Sequence, residues 1–253
     1  MTRNRSILAL VAILALAAGG YLAYDNVLRG DSVAPLALPS ASTGAPAVAS
    51  ADPAASTDPS ASASTSAAPG TDTGVAGTWT VVAAEAGYRV REQLASLPAE
   101  SDAVGRTNDV TGSITVVAAG EGAQLTEGSL TVDMTTIVSD EDRRDNRLRT
   151  EGLETDAFPT ATFTITQPVD IPAAAVAGTA TDVSLVGDLT LHGVTKSVTI
   201  PTQARLVDGQ VQVLGSISFP LADFDITAPN VGGFIVSIAD EGTLEFQVSF
   251  AKA

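Results

Sequence analysis

From residue 75 to the C-terminus, apolar and polar side chains alternate in short runs separated by turn-forming residues. The alternation is strictest at residues 242–250, where Leu244 and Phe246 share one face and the intervening polar side chains share the other. A period of two residues is typical of a β-strand that is buried on one face and wet on the other. The pattern therefore predicts an all-β domain over residues 75–253.

Eight runs of this kind are predicted as strands, and short turns join many of them. A count near eight fits either a closed antiparallel barrel or a sandwich. The runs lie at residues 78–82, 112–118, 125–136, 161–166, 180–191, 196–204, 210–218 and 242–250. Between residues 138 and 158 the alternation stops and charges of both signs crowd together. Ser139, followed three residues later by Asp142, predicts a short helix in this charged loop with Ser139 as its N-cap.

The N-terminus carries an apolar run of a different kind. Arg3 and Arg5 precede an uncharged stretch over residues 6–24, about the length that a helix needs to cross ~30 Å of hydrocarbon. Basic residues before the run place that end in the cytoplasm. We therefore expect residues 1–31 to form a cytoplasmic tip and one transmembrane helix, a retained signal anchor. The alternative is a cleaved signal peptide, for which residues 15–17 offer a small-x-small site.

Residues 32–74 are rich in Ala, Ser, Thr, Pro and Gly and carry few large apolar side chains. Such a segment cannot bury enough surface to offset the entropy of ordering, so it is predicted to be a disordered stalk. Together, the two segments predict a single-pass protein of the cell membrane whose C-terminal domain lies outside the cytoplasm. Cleavage of the signal would instead make the protein secreted.

Composition narrows the range of partners. The net charge of −16 argues against a nucleic-acid partner, because affinity for phosphate backbones depends on Lys and Arg. The absence of cysteine excludes disulfides and thiolate nucleophiles. One His and two Met leave few soft ligands for a transition-metal site. We expect no cofactor and no bound metal.

Three blocks of sequence resemble the YceI-like family. They are Arg144-Asp145 with Leu148-Arg149, then residues 158–163, then residues 187–196, in the family's order and spacing. Residues 79–81 and 87–92 also look like the start of that domain, so the resemblance covers about residues 77–250. The third block is quite specific. One departure is that common members have a His-rich opening strand, which reads Ala-Glu-Ala-Gly-Tyr at residues 84–88 here.

The resemblance implies an extended lipocalin-like barrel of eight antiparallel strands around a long apolar tunnel. It also implies export and the binding of a polyisoprenoid or similar long-chain lipid, and it brings no catalytic residues. Formation of a homodimer is left open, as is the question of which residue of each alternating pair points inward. The candidate ligand-binding residues are Trp79, Val81, Tyr88, Val90, Phe163, Ile165, Leu189, Leu191, Phe219, Phe224 and Phe234.

Several charged or polar residues allow a structural interpretation beside a functional one. Arg89 and Arg91 lie near Tyr88, where a polar head group would bind, but ion pairs with the many carboxylates are the simpler expectation. Arg144 and Asp145 are expected to pair with each other and to fix the charged loop over the barrel. The sole histidine, His192, is expected to make a hydrogen bond that stabilises a turn.

Two rival functions remain at this point. Asp223 and Asp225 are paired carboxylates of the kind that a glycosidase uses, but no nucleophile–base constellation accompanies them in the sequence. The second rival is a structural or adhesive cell-envelope domain without a lipid ligand. A stoichiometric long-chain lipid on the purified protein would separate the binding function from both.

Overall fold

The structure is a computed structural model, and it describes residues 33–39, 74–94, 100–229 and 235–253. The predicted transmembrane helix and most of the predicted stalk lie outside these residues. Within the described ranges, no helix is both long and apolar enough to cross a membrane. The strands are β1 (Gly77–Leu94), β2 (Ser101–Thr107), β3 (Val110–Ala119), β4 (Gly122–Asp133), β5 (Val138–Ser139), β6 (Thr160–Ile165), β7 (Val169–Ile171), β8 (Thr181–Leu191), β9 (Val194–Val207), β10 (Gln210–Pro220) and β11 (Ile235–Lys252).

Eight of these strands close into one antiparallel barrel. Their order around the wall is β1-β3-β4-β6-β8-β9-β10-β11, and β11 pairs back onto β1. The closing pair is long, running from Trp79 opposite Lys252 to Leu94 opposite Ile235. Closure pairs both edges of what would otherwise be an open sheet. The prediction of an all-β, eight-stranded antiparallel barrel is confirmed, and the sandwich is excluded.

The remaining strands extend the wall at its ends. β2 pairs with the second half of β1, and β5 pairs with β2. β7 pairs with the first residues of β4. β1 is much longer than the five residues predicted for it, because it pairs first with β3 and then with β2 while β11 follows it on the other side.

Inward-pointing side chains follow the expected alternation except where a register shift interrupts it, as in the ladders of β1 with β11 and of β3 with β4. On β8 the buried residues are every second one, Leu185, Leu189 and Leu191 among them. On β1 the register shifts between Val81 and Ala83. Such a bulge inserts one residue and moves the inward face from odd to even positions. Trp79 and Tyr88 therefore both point inward although they are nine positions apart, an odd number.

The charged loop is helical, as predicted, but its cap differs. Helix α1 spans Asp142–Thr150, and the side chain of Glu141, not Ser139, accepts a hydrogen bond from the first turn. Ser139 lies in β5 and donates to Asp145 instead. α1 packs beside β5 at one end of the barrel. Helix α2 (Ala173–Val176) lies at the other end, near the start of β4.

Residues 33–39, which we call the N-terminal strap, lie against the outside of the barrel. They belong to the predicted stalk and contain no helix or strand. Three arginines of the barrel donate hydrogen bonds to backbone carbonyl oxygens of the strap: Arg89 to Val33, Arg106 to Ala34 and Arg205 to Pro39. The strap thus crosses the outer wall from β1 and β2 to β9.

Candidate functional site

A cavity of about 460 Å³ lies inside the barrel. Most of its wall consists of apolar side chains that point inward from the strands. It reaches the surface beside α1, where the exposed residues Asp140, Glu141 and Arg143 line it. We call this end the mouth. The volume lies within the range of ~300–1,000 Å³ typical of small-molecule sites. An apolar interior with polar groups gathered at one end suits an amphiphile.

Small residues keep the cavity open. Ala86, Ala103 and Ala161 are buried and point into it, where larger side chains would fill the space. The wall cannot move inward to close the gap, because each barrel strand is hydrogen-bonded to a neighbour on both sides. A second cavity of about 70 Å³ lies deeper in the barrel, towards α2, and its lining is also apolar.

An ion pair lies at the mouth. Arg144 of α1 donates to the carboxylate of Glu92 across 2.7 Å, and Glu92 is only 3 % exposed. A second guanidinium nitrogen of Arg144 contacts Asp140. Burial alone would lower the pKa of Arg144, but the carboxylates of Glu92 and Asp140 raise it above its ordinary value. The pair ties α1 to the end of β1.

The pairing differs from the predicted one between Arg144 and Asp145. Asp145 accepts hydrogen bonds from the backbone N–H and the hydroxyl of Ser139. Successive residues of a helix point about 100° apart, so Arg144 and Asp145 face different neighbours. One side chain holds β1, and the other holds β5. Both contacts fix α1 over the mouth, which is the role that the sequence suggested for the pair.

Tyr88 lines the cavity, and its hydroxyl group is buried without a hydrogen-bond partner among the described residues. The Nε–H group of Arg144, which also lines the cavity, is likewise unpartnered within the described part of the chain. Burial raises the pKa of Tyr88 well above its ordinary value, so the hydroxyl keeps its proton. The ring of Tyr88 lies over Gly105 of β2, where a Cβ atom would come within 2.3 Å of it. Two buried donors beside the cavity are therefore left unsatisfied within the described part of the chain.

Most of the candidate lining residues come together around the two cavities. The larger cavity is lined by Tyr88, Val90, Phe163, Leu189, Leu191 and Phe219, and the smaller one by Phe163 and Ile165.

Trp79, Val81 and Phe224 instead pack outside the lining of these cavities. Trp79 donates its indole N–H to the carbonyl of Val75. Phe224 packs edge-on against Phe219 with ring centroids 5.0 Å apart. Phe234 lies outside the described residues.

Arg89 and Arg91 point away from the cavity and form ion pairs on the outer wall. Arg89 contacts Asp102 and Glu245, and Arg91 contacts Asp102 and Glu100. The structural interpretation of both arginines is confirmed. Only Tyr88, from this group of three, faces the interior.

His192 has the structural role expected of it. It occupies the turn between β8 and β9 with a left-handed backbone conformation, φ = 51°. Its Nδ1 donates to the carbonyl of Phe224, and its Nε2 lies 2.8 Å from a carboxylate oxygen of Glu154. The ring also packs on Phe158. These contacts hold the β8–β9 turn against neighbouring loops.

Several functional residues were not among the candidates. The mouth residues of α1, such as Arg147 and Leu148, were read only as a covering loop. Charges of both signs surround these residues, and such a pattern does not indicate which face of the helix lies over a cavity. The inward residues Leu130, Leu244 and Phe246 lie on strands that were predicted, and the alternation alone would have included them.

Comparisons with known proteins agree on one fold. The family model of the YceI-like domain matches residues 79–250. A polyisoprenoid-binding domain from Saccharophagus degradans, implicated in plant cell wall breakdown, is 21% identical with a TM-score of 0.53. The match covers 69% of this chain and 98% of that one. BcnA from Burkholderia cenocepacia is 16% identical with a TM-score of 0.50, covering 66% of this chain and 95% of its own. No curated protein sequence matches the chain.

Proposed function

Because the chain belongs to the YceI-like family, we propose that its barrel binds the long apolar chain of a polyisoprenoid or similar amphiphilic lipid. The observation that carries the proposal is the apolar cavity of about 460 Å³, which opens beside α1. The Saccharophagus degradans domain of the same fold is described as polyisoprenoid-binding. In this chain the lipid tail would lie in the cavity and its polar end at the mouth.

The polar end of the ligand is expected to carry a hydrogen-bond acceptor. Tyr88 and Arg144 line the cavity, and the hydroxyl of Tyr88 and the Nε–H of Arg144 are buried without a partner among the described residues. The charge of Arg144 is already balanced by Glu92 and Asp140. A neutral acceptor, such as a carbonyl or hydroxyl oxygen, therefore fits this mouth better than an anionic head group, which would need a cation without a counter-charge.

Energetics explain why shape and these donors decide selectivity. Transfer of a chain from water gains ~0.8 kcal/mol per buried CH₂ group. Transfer from a bilayer moves the chain from one apolar medium to another, so most of that gain is absent. Discrimination among lipids then rests on the length and width of the cavity and on the two donors at its mouth.

Membrane attachment is part of the proposal. Residues 6–24 would anchor the chain, and the barrel would lie outside the cytoplasm near the bilayer that holds its ligand. An anchored binder meets membrane lipids at a high effective concentration. The intact mass of protein extracted from membranes distinguishes a retained anchor from a cleaved signal peptide. Protease digestion of intact cells tests which side of the membrane carries the barrel.

Lipid extraction tests the binding itself. Full-length protein purified in mild detergent is extracted with organic solvent, and the extract is analysed by mass spectrometry. We expect one long-chain lipid per protein. Ala86→Trp, which fills the cavity from β1, should abolish the lipid. Val82→Trp, on the same strand but 53% exposed, should retain it. A lipid-free wild-type protein, or equal loading of both variants, would contradict the proposal and favour a structural envelope module.

A further inference from the structure

Four side chains separate the larger cavity from the smaller one. Leu130, Phe163, Phe246 and Val248 line both cavities, so they lie between them. We call this set the partition. Phe163 and Val248 are almost completely buried, at 8 % and 1 % exposure. The barrel interior therefore contains two cavities, of about 460 and 70 Å³, which adjoin at the partition.

The partition is built from opposite walls of the barrel. In the ring of eight strands, β6 and β11 are four strands apart in either direction. Phe163 comes from β6, with Leu130 directly opposite it in the ladder with β4. Phe246 and Val248 come from β11. The two phenyl rings thus lie on facing walls of the barrel, at the level where the two cavities adjoin.

Each phenyl ring of the partition lies over a glycine of the neighbouring strand. A Cβ atom on Gly187 would come within 2.6 Å of the Phe163 ring, and one on Gly215 within 2.4 Å of the Phe246 ring. Inward positions on the same strands otherwise carry large side chains, Leu185 and Ile217 for example. The glycines leave the space that the rings occupy, so the positions of both rings are set by the wall.

We propose that the partition sets the longest lipid chain that the barrel accepts. This inference rests on the proposed function, because it names what limits the ligand of the same cavity. A chain that enters at the mouth fills the larger compartment and stops at Phe163 and Phe246. Each CH₂ group inside adds ~0.8 kcal/mol, about a fourfold gain in affinity from water. Groups beyond the stopping point stay outside and add little.

Binding of a homologous series tests the partition. Linear primary alcohols of increasing length are titrated into delipidated full-length protein, with displacement of a fluorescent fatty-acid probe as the signal. For the wild type, affinity should rise about fourfold per CH₂ group and then level off at one chain length. For Phe163→Ala and Phe246→Ala, which join the compartments, levelling off should occur at a longer chain.

Two further variants make the test specific. Phe250→Ala removes the same ring from the same strand, but Phe250 lines only the smaller cavity and leaves the partition intact. Its affinity for the alcohols should level off at the same chain length as that of the wild type. Gly215→Ala pushes the Phe246 ring away from the wall, because the three atoms nearest its new Cβ atom are side-chain atoms of Phe246 and Thr202. The affinity of this variant should level off at a shorter chain length than that of the wild type.

The outcomes separate this inference from the proposed function. If no alcohol binds the wild type, the proposed function fails and the partition fails with it. If the wild type binds but all variants level off at the same length, the function stands and the partition is overturned. Circular dichroism checks the fold of each variant. Where an alanine variant does not fold, Phe163→Leu and Phe246→Leu replace it, with the same direction expected.

Discussion

Removing Arg144 should destabilise the barrel far more than removing its partner Glu92. Glu92 is 3 % exposed, and Arg144 contacts it across 2.7 Å. In Arg144→Met the carboxylate stays buried without a counter-charge, which costs about 3–5 kcal/mol of the free energy of unfolding. In Glu92→Gln the arginine keeps Asp140 and some access to water. That variant should lose only about 1 kcal/mol.

The double variant shows whether the loss comes from the buried charge. Glu92→Gln combined with Arg144→Met carries neither charge, so its stability should lie close to that of Glu92→Gln alone. If the contacts of Arg144 with α1 dominated instead, the double variant would be as unstable as Arg144→Met. Arg147→Met is the matched control on the same helix. Arg147 pairs with Glu151, both are largely exposed, and such pairs contribute about 0–1 kcal/mol.

Urea unfolding monitored by circular dichroism measures these differences. For a domain of this size each kcal/mol shifts Tm by about 2–4 °C, so Arg144→Met should melt roughly 6–20 °C below the wild type. An Arg144→Met variant within about 1 kcal/mol of the wild type would show that Glu92 is not left as a buried unpaired charge, since the penalty for such a charge is larger than that. The prediction also fails if Glu92→Gln proves the more damaging change.

Three further predictions concern single residues. Because burial raises the folded-state pKa of Tyr88, wild-type stability should hold below the ordinary tyrosine pKa and fall as the pH rises above it. Tyr88→Phe should abolish that alkaline loss in denaturation followed against pH. Gly87→Ala should lose about 1–3 kcal/mol in urea unfolding, because its Cβ atom would lie 2.2 Å from the carbonyl oxygen of Gly105. In His192→Asn the new side chain tolerates the left-handed backbone, but the Phe224 carbonyl loses its hydrogen-bond donor. The variant should therefore lose about 1–3 kcal/mol of the free energy of unfolding and show a lower Tm.

Local alternation predicted the barrel strands well where one face is apolar. The predicted strand at residues 242–250 lies within β11, and its apolar face points inward. β2 was missed because its sequence, Ser-Asp-Ala-Val-Gly-Arg-Thr, has charged side chains that pair across the outer wall. Arg106 and Asp102 of β2 contact Glu85 and Arg89 of β1. Those contacts become visible only once the chain is folded.

Only part of the site could be predicted from the sequence, because its residues also come together only once the chain is folded. An alternation of period two defines two faces for each strand, and only closure of the barrel decides which of the two faces points inward. The bulge between Val81 and Ala83 then reverses the parity within one strand, which no short-range pattern signals. The partition combines Phe163 with Phe246 of the opposite wall, 83 positions later in the sequence. Residues so distant cannot be paired from local periodicity.

The size of the cavity bears on the choice between a binding protein and a structural module. A cavity of about 460 Å³ that no ligand fills leaves its apolar wall without packing partners, and this lost packing and apolar exposure cost free energy even where water enters at the mouth. The net stability of a domain is only about 5–15 kcal/mol. A structural module gains nothing from that cost, and larger apolar residues in place of Ala86 and Ala161 would reduce it. Small residues at these positions are consistent with a barrel whose interior is completed by an apolar ligand.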